Sequence, residues 1–160
     1  MGNRNTRQNR FRFVSQLGIR YRNSPIVGQS STWKGALRGG DRAPDGELEG
    51  AGGENWLLEL CRGVNYHLLL FSGIGEIAAS KSKMAEAAMN LVAPGNMSLT
   101  VHEIFSTPIT DGSGHADSEG KLHALYGFKE SGYVLLRPDG YVSFIGLLCA
   151  SGDLKAWLRK

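Results

Sequence analysis

The side chains of this chain best suited to covalent or metal chemistry are two cysteines, four histidines and a serine at a glycine turn. Cys61 and Cys149 lie far apart and form no C-x-x-C pair, so neither has the close neighbour that lowers a thiol pKa and resolves a mixed disulfide. Cys61 ends an apolar run and reads as a small core residue; Cys149 stands just before the last expected helix. Both are the candidate thiols, with a long-range disulfide as the alternative pairing. His67, His102, His115 and His123 show no tight ligand spacing. His115, Asp117 and His123 share one loop region, but one loop rarely supplies a full ligand set. Asp111, Asp117 and Glu119 miss the calcium-loop spacing, and no metal ligand is assigned. Ser72 is a nucleophile only if a histidine and an acid converge on it, and spacing identifies neither. Its simpler role is a turn or helix-start serine. Gly73-Ile-Gly75 followed by Ala78 is a G-x-G-x-x-A variant of a dinucleotide fingerprint. The acid that should follow about 20 residues on is missing, Glu103 being too far. No catalytic or cofactor-binding residue is assigned.

These residues are carried by a glycine-rich chain, with 22 glycines in 160 residues, so loops must be many or long. Residues 30–53 are rich in Gly, Ser, Asp and Pro and read as loop. Residues 56–61 read as a short strand, and the unbroken apolar run 66–71 as a central strand covered on both faces. Residues 76–91 hold helix formers with Ile77, Ala78, Met84, Ala88 and Leu91 on one face, ended by Pro94 and Gly95. Residues 98–105 suit a strand and 118–126 a short helix. Residues 133–136 and 141–145 flank Arg137-Pro-Asp-Gly140, a tight-turn sequence, and predict a β-hairpin. Residues 153–160 predict a terminal helix. The order β-β-α-β-(α)-β-β-α implies a right-handed parallel crossover and a mixed sheet.

The net charge of +3 is unevenly spread. Residues 1–40 carry eight bases and no acid, while the rest of the chain carries ten bases and all fifteen acids. The division predicts a basic N-terminal arm and linker over 1–37 and one domain over 38–160. Clustered arginines can neutralise phosphates, but the body lacks a basic helix with interleaved aromatics, so nucleic acid is not an expected partner. Residues 12–28 read as an irregular segment that packs on the domain. No apolar run approaches the roughly 18 residues that span a bilayer, and the N-terminus has no apolar core of a secretory signal. Met1-Gly-Asn-Arg-Asn-Thr6 fits a myristoylation pattern that often matches by chance. A cytoplasmic protein without membrane contact is expected.

Four pieces of the chain carry a resemblance: Gly40-Asp-Arg-Ala-Pro-Asp-Gly46, Leu57-Leu-Glu-Leu-Cys-Arg-Gly63, Leu125-Tyr-Gly127 and Gly132-Tyr-Val-Leu-Leu-Arg-Pro-Asp-Gly-Tyr-Val142. In this order they resemble the C-terminal thioredoxin-like domain of FAD-dependent aromatic hydroxylases of the phenol hydroxylase type. Leu17-Gly-Ile-Arg-Tyr-Arg-Asn-Ser24 is similar to the link that joins that domain to the flavin-binding part. The resemblance implies an α/β thioredoxin-like fold, with a mixed central sheet flanked by helices, a closing β-hairpin and a C-terminal helix. In the family the FAD and substrate sites lie upstream, in a domain whose fingerprint is missing here; Gly40-Asp41 belongs to the entrance loop. Neither FAD nor a catalytic residue is carried over. A thioredoxin would place its cysteine pair at Ser72-Gly-Ile-Gly-Glu76 and a cis-proline near Gly132, and this chain has neither residue type there. The implied role is a non-catalytic module acting in self-association, as a homodimer, or in docking to a separate flavoprotein. The hairpin edge, exposed aromatics such as Tyr133 and Tyr141, or the basic N-terminal segment would supply the contact, with Tyr133, Arg137 and Tyr141 as candidate interface residues. The alternatives are a single-cysteine thiol or peroxide oxidoreductase and a small-ligand binding module.

Overall fold

A computed structural model describes residues 19–50, 53–75, 78–91, 98–109 and 111–159. The first four arginines of the expected arm, Pro94 and Gly95 lie outside the described residues. In chain order the elements are β1 (Gly28–Gln29), β2 (Glu47–Gly50), β3 (Gly53–Trp56), α1 (Leu57–Leu60), β4 (Tyr66–Phe71) and α2 (Lys81–Leu91). They continue with β5 (Leu99–Phe105), β6 (His115–Ala116), α3 (Lys121–Tyr126), β7 (Gly132–Leu136), β8 (Val142–Leu147) and α4 (Ser151–Leu158).

The apolar run of β4 needs cover on both sides, and the layers supply it. Among the described residues the strands form one mixed sheet in the order β1-β8-β7-β4-β5-β6-β2-β3. β4 and β5 are parallel and joined by α2, while β7 pairs antiparallel with both β4 and β8. Alternation along β4 sends Leu69 and Phe71 to one face and Leu68 and Leu70 to the other. The first pair meets Leu57 of α1, Leu122 and Tyr126 of α3, and Trp33. The second meets Met84 and Leu91 of α2 and Leu154 of α4.

Local chemistry explains where the elements depart from expectation. The apolar run 56–61 is not a strand. β3 stops at Trp56, and Leu57–Leu60 makes a single helical turn whose first amides are satisfied from outside. Leu57 N–H donates to the Gly46 carbonyl at 2.9 Å, and Leu58 N–H to the Asp45 carboxylate at 2.9 Å. The turn buries Leu57 and exposes Glu59. α2 begins at Lys81, later than expected, because Ser80 stands at its start and accepts the Lys83 N–H at 3.3 Å. Glu47–Gly50, read as loop, pairs with both β3 and β6.

The hairpin forms as its turn residues dictate. Gly140 N–H donates to the Arg137 carbonyl at 2.9 Å, and Gly140 has φ +79°. Its position in the sheet corrects the expectation of an exposed edge. β8 is covered by β1, through Gly28 opposite Phe144 and Gln29 opposite Ile145, and β7 by β4. Tyr133 and Tyr141 are buried rather than displayed. Tyr133 faces the α2/α4 core, and Tyr141 sits edge-on to Tyr21 at 5.0 Å under the Arg42 guanidinium. Arg137 is mostly covered and pairs with Asp139.

Of the approach segment read over 12–28, residues 19–28 are described, and they and residues 29–37 contact the body. Trp33 enters the core, and its indole N–H donates to the Leu37 carbonyl at 2.7 Å. Arg22 grips Asp41 with two hydrogen bonds of 2.6 Å, and Arg20 lies 3.8 Å from the same carboxylate. Part of the basic excess thus holds the segment to the domain. At the other end, Asp153 in the first turn of α4 accepts the hydroxyls of Ser30 and Ser31 and the Ser31 amide.

Candidate functional site

The corner after β4 is closed. Ser72 is buried; its hydroxyl donates to the Gly73 carbonyl at 2.9 Å and accepts the Ser106 amide at 3.2 Å. Gly73 has φ +85°, and a Cβ there would lie 2.8 Å from the Glu130 carbonyl carbon and the Lys129 oxygen. Ile74 N–H donates to the Lys129 carbonyl at 2.9 Å. Backbone from the β7 approach therefore fills the space over this turn.

The fold does bring a histidine and an acid to Ser72, which spacing had not identified. His123 Nδ1 lies 2.8 Å from Asp117 Oδ2, and the His123 backbone N–H donates to the same oxygen at 2.8 Å. Nε2 then faces the Ser72 hydroxyl at 3.5 Å. Burial opposes the charge on Asp117, but the bonds from His123 prevail and hold its carboxyl below the ordinary range. The residue types match a nucleophile, base and acid, yet the hydroxyl already serves two backbone groups and its contact to the imidazole is long. All three are buried. The arrangement locks α3 to the end of β4, and Ser72 is a turn serine.

At the opposite end of β4 a second cluster forms. His67 and His102 occupy same-face positions on neighbouring parallel strands, since Leu69 pairs with His102 and His67 with Thr100. Their ring nitrogens, His67 Nδ1 and His102 Nε2, are 3.0 Å apart. Cys61, at the C-terminal end of α1, closes the group: one donor atom from each of Cys61, His67 and His102 lies within 4.8 Å of the others. His115 is next on the same face, its ring centroid 5.9 Å from that of His102. Burial lowers the affinity of all three imidazoles for a proton, bringing His102 down to about 4. Burial, with a smaller contribution from Asp45, pushes the Cys61 thiol up to about 12. Among the described residues His67 Nε2 and His115 Nδ1 are buried without a hydrogen-bond partner, each worth about 1–3 kcal/mol of lost solvation.

The linear spacing of the histidines hid this cluster because its donors come from three elements. The group read as one loop is in fact divided. His115 joins the row on β4 and β5, while Asp117 and His123 serve the corner. Bringing His67 and His102 together required the β4–β5 register, which their spacing in the sequence does not carry. Of the candidate thiols, Cys61 is buried and Cys149 is exposed, and neither forms a disulfide.

Two open clefts flank this side of the molecule. One of about 570 Å³ runs past Arg42, Asp45, Trp56, Cys61 and Arg62. Another of about 400 Å³ lies between β2 and α3, with Trp56 and Leu125 on its walls. Trp56 is 46% exposed and Leu125 56% exposed. No helix of the described residues is long and apolar enough to cross a membrane.

No family model matches the chain, and no curated protein is similar to it in sequence. Solved structures share its architecture. A putative thiol:disulfide interchange protein DsbE from Chlorobium tepidum matches 78% of this chain and 97% of its own length, at TM-score 0.50 and 17% identity. A putative protein disulfide isomerase from Bacteroides thetaiotaomicron matches 78% of this chain and 92% of its own, at TM-score 0.52 and 14% identity. The fold is thioredoxin-like.

A longer match places this thioredoxin-like chain beside FAD-dependent aromatic hydroxylases. The flavin-dependent monooxygenase PieE, solved with FAD and substrate, aligns with 98% of this chain at TM-score 0.64 and 22% identity, over 29% of its own length. Aklavinone-11 hydroxylase, solved with FAD and aklavinone, aligns with 90% at TM-score 0.59 and 22% identity, over 27% of its length. The chain spans under a third of the hydroxylases it matches.

Proposed function

We propose that this thioredoxin-like chain is an assembly module of the hydroxylase-tail type and takes no part in dithiol–disulfide exchange. One observation carries the reading: nearly the whole chain follows a part of flavin monooxygenases, while the corner where thioredoxins hold their cysteines is a closed serine–glycine turn. The contact face differs from the one expected. The hairpin is interior, so the candidate surface is the other end of the sheet, where β3 is the edge strand and Trp56 and Leu125 are exposed. An edge strand offers unpaired backbone groups to a partner, and a second copy brings the same edge to a two-fold contact. Self-association through β3 is therefore favoured over docking to a separate flavoprotein. Adding FAD to the purified chain and removing excess by gel filtration tests the catalytic side of the reading. The expected product is colourless, and a yellow protein holding one flavin per chain would overturn it.

A further inference from the structure

We infer that Cys61, His67 and His102 form a binding site for a thiophilic divalent transition-metal ion of the Zn²⁺ class. One thiolate and two imidazoles are a donor set this ion takes, and three protein ligands with an open position are a common arrangement for it. The distances suit it. Two nitrogens bound to one tetrahedral Zn²⁺ at about 2.0–2.1 Å stand about 3.3 Å apart, and His67 Nδ1 and His102 Nε2 stand 3.0 Å apart. One donor atom from each of Cys61, His67 and His102 lies within 4.8 Å of the others. Without an ion the two rings share one hydrogen bond between these facing nitrogens.

The positions are also well fixed. His67 and His102 are held by the β4–β5 ladder, and Cys61 by the backbone bond from its N–H to the Leu57 carbonyl at 3.2 Å. Cys61 is 7% exposed and lines the 570 Å³ cleft, which gives an entry path. Binding would exchange the Cys61 S–H bond for a metal–sulfur bond, the thiol proton leaving to solvent, and the proton held between the two ring nitrogens would move to the other nitrogen of its own ring. The ion would clip α1 to β4 and β5. This inference is independent of the assembly reading.

The test uses untagged, chelator-treated protein titrated with Co²⁺, a spectroscopic stand-in, and then with Zn²⁺. The expected result is a thiolate-to-cobalt charge-transfer band with tetrahedral d–d bands, saturating at one ion per chain and bleached by Zn²⁺. Cys61→Ser should abolish the charge-transfer band and weaken Zn²⁺ binding by at least about tenfold, since even outer-shell losses at metal sites cost roughly 10–100-fold. Cys149→Ser should change neither. If Cys61→Ser fails to fold, His102→Gln is the second variant and should weaken Zn²⁺ binding comparably. A parent protein with no charge-transfer band at saturating Co²⁺ overturns the site. So does a band that survives Cys61→Ser or disappears in Cys149→Ser.

Discussion

Cys61 and Cys149 present the same thiol in opposite surroundings. Cys61 is packed beneath α1 with its proton affinity raised to about 12, whereas Cys149 is exposed. Thiolate supply and access both control reactivity, so metal-free native protein should show one fast thiol toward a disulfide reagent. The second should react only on unfolding. Two fast thiols in the native state would mean that Cys61 is reachable and would revive the single-cysteine oxidoreductase. Asp41 illustrates a charge used for structure. Burial works against its ionisation, but the bonds from Arg22 and the Arg38 amide outweigh that and keep its carboxyl below the usual range. A carboxyl depressed by folding stabilises fully above its unfolded value near 4 and loses that contribution as pH falls through the folded value. Asp41→Asn should cost about 1–3 kcal/mol near pH 7. The gap from the parent should narrow below about pH 4, as read from urea unfolding at both pH values.

At the scale of elements, the turn at the end of β4 is where the fold's usual chemistry is replaced by packing. Gly73 needs its positive φ and leaves no room for a Cβ against the Lys129–Ser131 backbone. Gly73→Ala should cost roughly 1–2 kcal/mol or more and lower Tm by about 2–4 °C per kcal/mol. An unchanged Tm would show the corner to be looser than described. The elements most legible in the sequence are those whose ends carry their own chemistry. The hairpin declares itself through Pro138 and Gly140, and β4 through the apolar run Leu68–Phe71. α1 was illegible as a helix because residues 56–61 are apolar except for Glu59 and too few to show a period that separates strand from helix. The deciding partners, Asp45 and the Gly46 carbonyl, come from another part of the chain. The burial of Tyr133 and Tyr141 was hidden for a related reason, because Tyr133 is covered by α2 and α4 and Tyr141 by Tyr21 and Arg42, partners distant in sequence. The two side-chain clusters depend on strand register and on the return of α3. Their members were visible as residue types, and their convergence was not.

For the whole molecule, the sheet sets what is available to a partner. Its middle strands are covered on both faces, its hairpin is interior, and the exposed apolar side chains Trp56 and Leu125 lie toward the β3 end. The basic excess of the first forty residues is partly drawn into the body by Asp41. An assembly held by an apolar strand edge should be insensitive to moderate salt, because screening weakens exposed ion pairs and leaves apolar contact intact. Trp56→Lys places a charge on that edge and should shift the equilibrium toward monomer while leaving the circular dichroism unchanged. The most direct measurement is light scattering behind size exclusion, at low and moderate salt and over a range of loading concentrations. The account predicts a dimer of the same mass in both salts. A monomer at every concentration would contradict self-association as this chain's role.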